Sequence, residues 1–416
     1  MTADQLSLAA LNRATLDRQL LLHRHALPAR HAIEHLTGMQ AQAPLAPYVG
    51  LWTRLAGFVH QDLKDLLSER SVVRAHAHRS TIHLLTAEDY LSFRPLFQPL
   101  VDRGLAANFG RNLRGVDLDE LREFAKVLLS QAPLTRAQLA TRLAERWPGH
   151  EPSSLAYAAT HLLPLVQVPP RGLWGHTGQA TYFLAAAWLD GRPRRTPPDS
   201  AAWLDGRPRR TPPDPAAWLD GRPRRTPPDP AAWLDGRASH TPPDRATALE
   251  RLVLRYLAAY GPATVNDIQA WSGLSRLREV TDRLGARLRP FTGPDGARLL
   301  DLADATRPDP DVPAPPRFLP GYDNLLLSFA ERRRVIPHDR PVPLPPGNGA
   351  TTGTLLVDGL WRADWTITRG RDRAVLHVAP FGPLGHVQAD AVVAEGRRLL
   401  EFAAPAAAHD VRFGGS

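Results

Sequence analysis

The sequence predicts an α+β protein in which tandem winged-helix units, built on helix–turn–helix motifs, precede a small C-terminal β-barrel domain. Three observations carry this. Short apolar-periodic helices broken by turn residues recur along the first three quarters of the chain. Short strand-like runs follow them. The last part then switches to period-2 alternation, as in TTGTLLVDGLWRADWTITR and DRAVLHVAPF, before a closing helix ADAVVAEGRRLLEFA. At 416 residues, 43% hydrophobic and 22% charged, the chain has ordinary globular composition and room for several cores.

The elements fall into five segments. Residues 1–116, read as the first winged-helix region with 117–185 and 246–308 as the second and third, open with the helix-periodic LSLAALNRATLDRQLLL and continue through HAIEHLTGMQAQAP and APYVGLWTRLAGF. A strand-like VVRAHAHRSTIHLL follows, then a helix that Thr86 can cap, with Glu88 and Asp89 in its first turn. Residues 117–185 hold LDELREFAKVLLSQAPLTRAQLATRLAERW, broken at Ala132-Pro133 with Thr135 as N-cap, and then PPRGLWGHTGQATYFL, read as a hairpin. Residues 186–245 are four repeats: AAWLDGRPRRTPPD starts at Ala186, Ala201 and Ala216, and a drifted copy starts at Ala231. Each holds one short apolar cluster and a Pro-Pro, too little for a solenoid core, so the tract reads as an exposed linker. Residues 246–308 repeat the helix plan, with a Gly261-Pro262 break, a Thr264 cap and a β wing near Arg298-Leu-Leu-Asp-Leu. Residues 309–416 form the C-terminal domain.

Composition narrows the chemistry. There is no cysteine, which removes disulfides, thiolate metal sites and a cysteine nucleophile. No run approaches the ~18 apolar residues of a spanning helix, and the N-terminus has no apolar export signal, so a cytoplasmic setting is expected. Lys64 and Lys126 are the only lysines among 51 Lys plus Arg, so 49 are arginines. The net charge is +9 and the pI about 10.5. Such a balance suits a polyanionic partner, and it also matches the Arg-rich, Pro-rich usage of a GC-rich genome. His23 with His25, and His76 with His78, are i, i+2 pairs, but no carboxylate stands at a ligand spacing. No HExxH, Walker, GxGxxG or GxSxG motif is present, so neither a metal nor a cofactor is expected.

The segment Gln40-Ala41-Gln42 precedes Pro44, which disfavours helix at Ala43. In extended or turn geometry, side chains two apart face the same way, so both glutamines can reach one point. Read alone, they are equally polar residues at a helix end that satisfy backbone groups. Four strings in fixed order add to this: Met39-Gln-Ala-Gln42 with PYVGLWTRL, Arg79-Ser-Thr-Ile-His83, YGPATVNDIQAWSGL at 260–274, and FLPGYDNLLLS at 318–328 with Arg332-Arg-Arg-Val-Ile336.

Together these strings resemble the AlkZ-like winged-helix DNA glycosylase family, over nearly the whole chain except the repeats. The resemblance implies a basic concave surface and a monofunctional N-glycosylase acting on double-stranded DNA that carries N7-alkylated or cross-linked purines. Catalytic roles fall on Gln40 and Gln42, the glutamine at the second position marking the AlkZ-like branch. DNA contacts fall on Arg79, Thr81, His83, Asp323, Asn324, Arg332 and Arg333. Other readings stand beside these: a structural ion pair for Arg79, a satisfied strand histidine for His83, local turn chemistry for Asp323 and Asn324, and a solvated face for Arg332 and Arg333. A monomer without membrane association is expected. The rival functions are a winged-helix transcription regulator and a damage-binding protein without catalysis.

Overall fold

The computed structural model describes residues 4–190, 244–337 and 352–414. The linker expected over the repeats falls almost wholly on 191–243, outside the described residues. Helix α1 (Leu8–Arg18) starts where the Ser7 hydroxyl accepts the Ala10 N–H. It is followed by α2 (Ala29–His35), strand β1 (Met39–Gln40), α3 (Ala46–Trp52) and α4 (His60–Ser68). The single strand expected from VVRAHAHRSTIHLL is two, β2 (Val72–His76) and β3 (Ile82–Thr86), paired antiparallel. The chain reverses between them because Arg79 and Ser80 adopt φ of 52° and 57°. Thr86 then caps α5 (Ala87–Phe109), accepting the Asp89 N–H at 3.2 Å, with Glu88 and Asp89 in the first turn.

The next segment runs α6 (Leu118–Gln131), β4 (Leu134–Thr135), α7 (Arg136–Arg146), α8 (Pro152–Leu162), β5 (Leu165–Val168), β6 (Thr181–Leu184) and the short α9 (Ala185–Leu189). Thr135 and Gln138 exchange bonds in a capping box at 3.2 and 2.9 Å. A third set of helices, α10 (Arg245–Tyr260), α11 (Val265–Ser272) and α12 (Leu277–Leu284), leads into the antiparallel pair β7 (Leu288–Thr292) and β8 (Arg298–Leu302). There Thr264 and Asp267 form the corresponding box at 3.1 and 2.8 Å.

Strands from the first two segments share one six-stranded sheet in the order β1-β3-β2-β5-β6-β4. The C-terminal part comprises β9 (Arg317–Leu319), α13 (Asn324–Leu327), β10 (Gly353–Val357), β11 (Leu360–Arg369), β12 (Arg373–Pro380), α14 (His386–Ala403) and β13 (Ala408–Phe413). Here the expectation of a barrel needs correction. The sheet is an open array of five strands in the order β13-β12-β11-β10-β9, and among the described residues β13 does not pair with β9. Burial explains why closure is unnecessary. Trp361, Ala363 and Trp365 of β11 and Ala374, Leu376 and Val378 of β12 point inward. Most of that face is covered by Val392, Leu399 and Leu400 of α14 and by Ile33, Tyr48 and Leu51 of the N-terminal helices.

Three cores result. One joins the first segment to the third and last through Tyr90, Phe97, Tyr256, Trp271, Leu319 and Trp361. The second lies under the C-terminal sheet. The third, around Leu121, Leu139, Leu143 and Leu155, holds α6, α7 and α8. No helix among the described residues is long and apolar enough to cross a membrane.

Candidate active site

Gln40 ends β1, where it stands opposite His83 of β3. Gly38 makes this approach possible: at φ +94°, an added Cβ would meet Leu85 Cδ2 at 2.8 Å. Beyond Gln40, the Ala41 N–H donates to the Ile82 carbonyl at 2.8 Å and the chain turns away before Pro44. Gln42 folds back so that its Oε1 accepts the Ile82 N–H at 3.3 Å. The buried Arg74 clamps the same turn, donating to the Ala41 carbonyl at 2.9 Å and the Pro44 carbonyl at 3.3 Å. Burial draws its guanidinium down to about 10, so it stays charged at neutral pH.

Arg79 donates to Gln40 Oε1 at 3.1 Å and to the Trp271 carbonyl of α11 at 2.5 Å. A guanidinium can only donate, so the Gln40 atom it touches is the oxygen and the orientation of the amide is settled. The third helical set is thereby tied to Gln40. Like Arg74, Arg79 is drawn to about 10 by burial.

The last segment closes the site from the other side. Arg54 grips Asp323 in a two-point pair, both bonds 2.9 Å, with side chains 1% and 3% exposed. Asp323 Oδ1 also accepts the Leu325 N–H, capping α13. Asn324 Nδ2 donates to the Gly38 carbonyl at 2.9 Å, two residues before Gln40. Sequence reasoning missed Arg54, Arg74 and Trp271. For Arg54 there was a signal: a charge inside the apolar run Val49–Leu55 must find a buried partner.

The structure thus brings Arg79, Asp323 and Asn324 to the Gln40 strand. Thr81 is half-buried and donates to the His78 carbonyl at 3.2 Å. His83 is fully buried, so as folded it offers no surface to a DNA backbone. Its Nδ1 faces the Thr81 carbonyl at 3.1 Å, and its ring meets that of His78 edge-on at 4.9 Å. Arg332 donates to the Phe329 carbonyl, and Arg333 pairs with Glu331 and Asp295, well apart in sequence from β1. Among the described residues, no three His, Cys, Asp or Glu side chains are arranged to hold a metal ion.

Burial holds His78 down to about 3 and His83 well below the ordinary histidine range, so both rings are neutral in the folded chain. His35, on α2, is held to about 4 for the same reason. The unfolded chain therefore binds protons at these rings below about pH 6.5 that the folded chain refuses. Stability is expected to fall as pH drops from 6.5 towards 3, by about 1.4 kcal/mol per pH unit for each whole proton of difference. Urea midpoints recorded from pH 7 to 4 check this; a level midpoint contradicts it.

With this geometry in place, comparison with known proteins defines the class. The family described as DNA glycosylase AlkZ-like matches residues 33–402, most of the chain, so this is a hydrolase that cuts bases from DNA. The chain belongs to the AlkZ-like DNA glycosylase family. Its fold is similar to that of the Streptomyces sahachiroi DNA glycosylase AlkZ, with a TM-score of 0.66, 20% identity, and 99% of this chain and 100% of that chain covered. No curated protein matches it in sequence.

Proposed function

We propose that this glycosylase hydrolyses the N-glycosidic bond of N7-alkylated purines in double-stranded DNA, including cross-linked guanines, whose release unhooks the strands. The observation that carries the reading is the pair of anchored carboxamides in Gln40-Ala41-Gln42, beside which Asp323, the acid that lines a small chamber with Gln40, is paired with Arg54. An N7-alkylated guanine is cationic, so it leaves with little acid help. What remains is to place a water and steady an oxocarbenium-like sugar, which oriented amide dipoles do without a titrating group. Gln40 Oε1 accepts from Arg79 and Gln42 Oε1 accepts the Ile82 N–H, so both carboxamides are held oriented for that work. Asp323 has both carboxylate oxygens engaged by Arg54.

In this reading α6–α8 with β5–β6, and α10–α12 with β7–β8, are winged helices that present a basic surface to the duplex. Arg332 and Arg333 contact phosphates, Arg333 by exchanging Asp295 and Glu331 for DNA. Arg79, Asp323 and Asn324 serve the site from behind, and Thr81 and His83 hold the β3 turn in place. The enzyme acts as a cytoplasmic monomer in DNA repair or genotoxin self-resistance. No lysine lies near Gln40 in sequence, and hydrolysis proceeds without a Schiff base or strand cleavage.

The test uses two duplexes, one with a single N7-alkylguanine and one with an N7–N7 cross-link. Alkali-labile abasic sites are expected from both, the cross-linked strands separating on a denaturing gel, and borohydride is expected to trap no protein–DNA adduct. A trapped adduct contradicts simple hydrolysis. Tight binding of undamaged DNA in a sequence-specific manner, without base release, would favour a regulator instead.

A further inference from the structure

Behind β1, α3, α10 and the turn before α13 line a narrow, partly open chamber of about 10 Å³, the room of a single water. Its polar walls are Gln19, Gln40, Arg54, Tyr260, Asp323 and Asn324, drawn from the first, third and last segments. The Asn324 carboxamide is buried, and its nitrogen is committed to the Gly38 carbonyl, so its orientation is settled as firmly as that of Gln40. The atom left over, Asn324 Oδ1, is a buried acceptor without a partner, since the neighbouring Tyr260 hydroxyl spends its one proton on the Leu36 carbonyl at 3.3 Å. Unpaired buried acceptors are rare because they forfeit the bonds they made to water. Gln40 has its oxygen on Arg79, which leaves the amide nitrogen as its remaining donor.

We propose that one bound water occupies this chamber, donating to Asn324 Oδ1 and accepting from the Gln40 amide, and that Asn324 is thereby a positioning residue for Gln40. Gln40 is then held from two sides, its oxygen by Arg79 and its nitrogen by the water. A small polar space with several convergent partners is the setting in which a buried water is retained. A carboxamide pinned at both ends cannot rotate away from the reacting centre, and misplacement of a catalytic group by about 1 Å costs about 10²-fold in rate.

The proposal rests on the reading of Gln40 as the group that acts at the glycosidic bond, and the test separates the two claims. A high-resolution crystal structure of the full chain is expected to show one water within hydrogen-bond reach of Asn324 Oδ1 and the Gln40 carboxamide. Asn324→Leu, close in shape but without the acceptor, is expected to leave the chamber dry. Single-turnover base release from an N7-methylguanine duplex should then fall between about 10- and 100-fold, with duplex affinity unchanged. Ala46→Val narrows the chamber from α3 while leaving the Asn324 bond to Gly38 intact. It should lower the rate in the same direction without lowering the melting temperature, which a purely structural role for Asn324 does not predict. A dry chamber in the native protein, or native rates in Ala46→Val, overturns the proposal. If the native protein releases no base at all, the substrate reading fails, and the crystallographic result alone still decides whether the water is there.

Discussion

Replacing Gln40 with alanine is expected to lower single-turnover base release by about 10²–10³-fold while leaving duplex affinity within about threefold, the loss typical of removing one preorganised dipole from a reacting centre. The selectivity follows from where Gln40 sits. It is 8% exposed at the end of a two-residue strand, so it contributes little area to a DNA surface. Its oxygen is bound by Arg79, which in turn holds the Trp271 carbonyl. Truncation leaves that guanidinium one acceptor short but still anchored to α11. Gln42→Ala is expected to lower base release as well, since Gln42 is the other oriented carboxamide of the motif, its Oε1 held on the Ile82 N–H. Equal losses in affinity and rate for Gln40→Ala would make the residue a binding group and contradict the assignment. Filter binding beside single-turnover kinetics separates the two.

The second large effect concerns stability. Asp323→Ala strands the Arg54 guanidinium, 1% exposed, in the protein interior. Breaking a buried pair from one side costs about 3–5 kcal/mol. Arg54 also donates to the Gln19 and Gly50 carbonyls at 3.0 and 2.9 Å, so it cannot swing out to water without abandoning them. The urea midpoint of Asp323→Ala should fall steeply. The double variant Arg54→Met with Asp323→Leu should recover part of that loss, since apolar replacement of a whole buried pair is often neutral. If the single variant unfolds at the native midpoint, Arg54 and Asp323 do not support the site in the way described.

Local chemistry was the part of this fold most legible in the sequence. Thr86, Thr135 and Thr264 each stand three residues before an Asp or Gln, and each caps the helix expected of it. The turn at Gln42-Ala43-Pro44 and the closing helix α14 followed from proline restriction and helical periodicity. Edges and turns without glycine were not legible. The β2–β3 reversal is made by Arg79 and Ser80 at positive φ, and neither residue announces such a turn. Strand β9 has only three residues before Pro320, and β13 is a largely exposed edge with no clean alternation. Missing both, the period-2 runs fitted a small barrel or a sheet alike, the resemblance favoured the barrel, and the sheet is open.

The site divides along the same line. Gln40 and Gln42 stood out through the resemblance, with Arg79, Asp323 and Asn324 in strings beside them. What those supports do depends on contacts across the chain. Arg54 meets Asp323 across 269 positions, Arg79 meets Trp271 across 192, and Asn324 meets Gly38 across 286. No local pattern encodes such pairs, so the contacts that bring Arg79, Asp323 and Asn324 to the Gln40 strand were not legible in their own strings.

The most direct test of the central claim is chromatographic detection of the free base after the native protein meets a duplex bearing one N7-methylguanine. Intact 7-methylguanine in equal amount to abasic sites, absent with Gln40→Ala at the same duplex occupancy, is the result this account predicts. A bound duplex that yields no free base, or the same yield from Gln40→Ala, would contradict it.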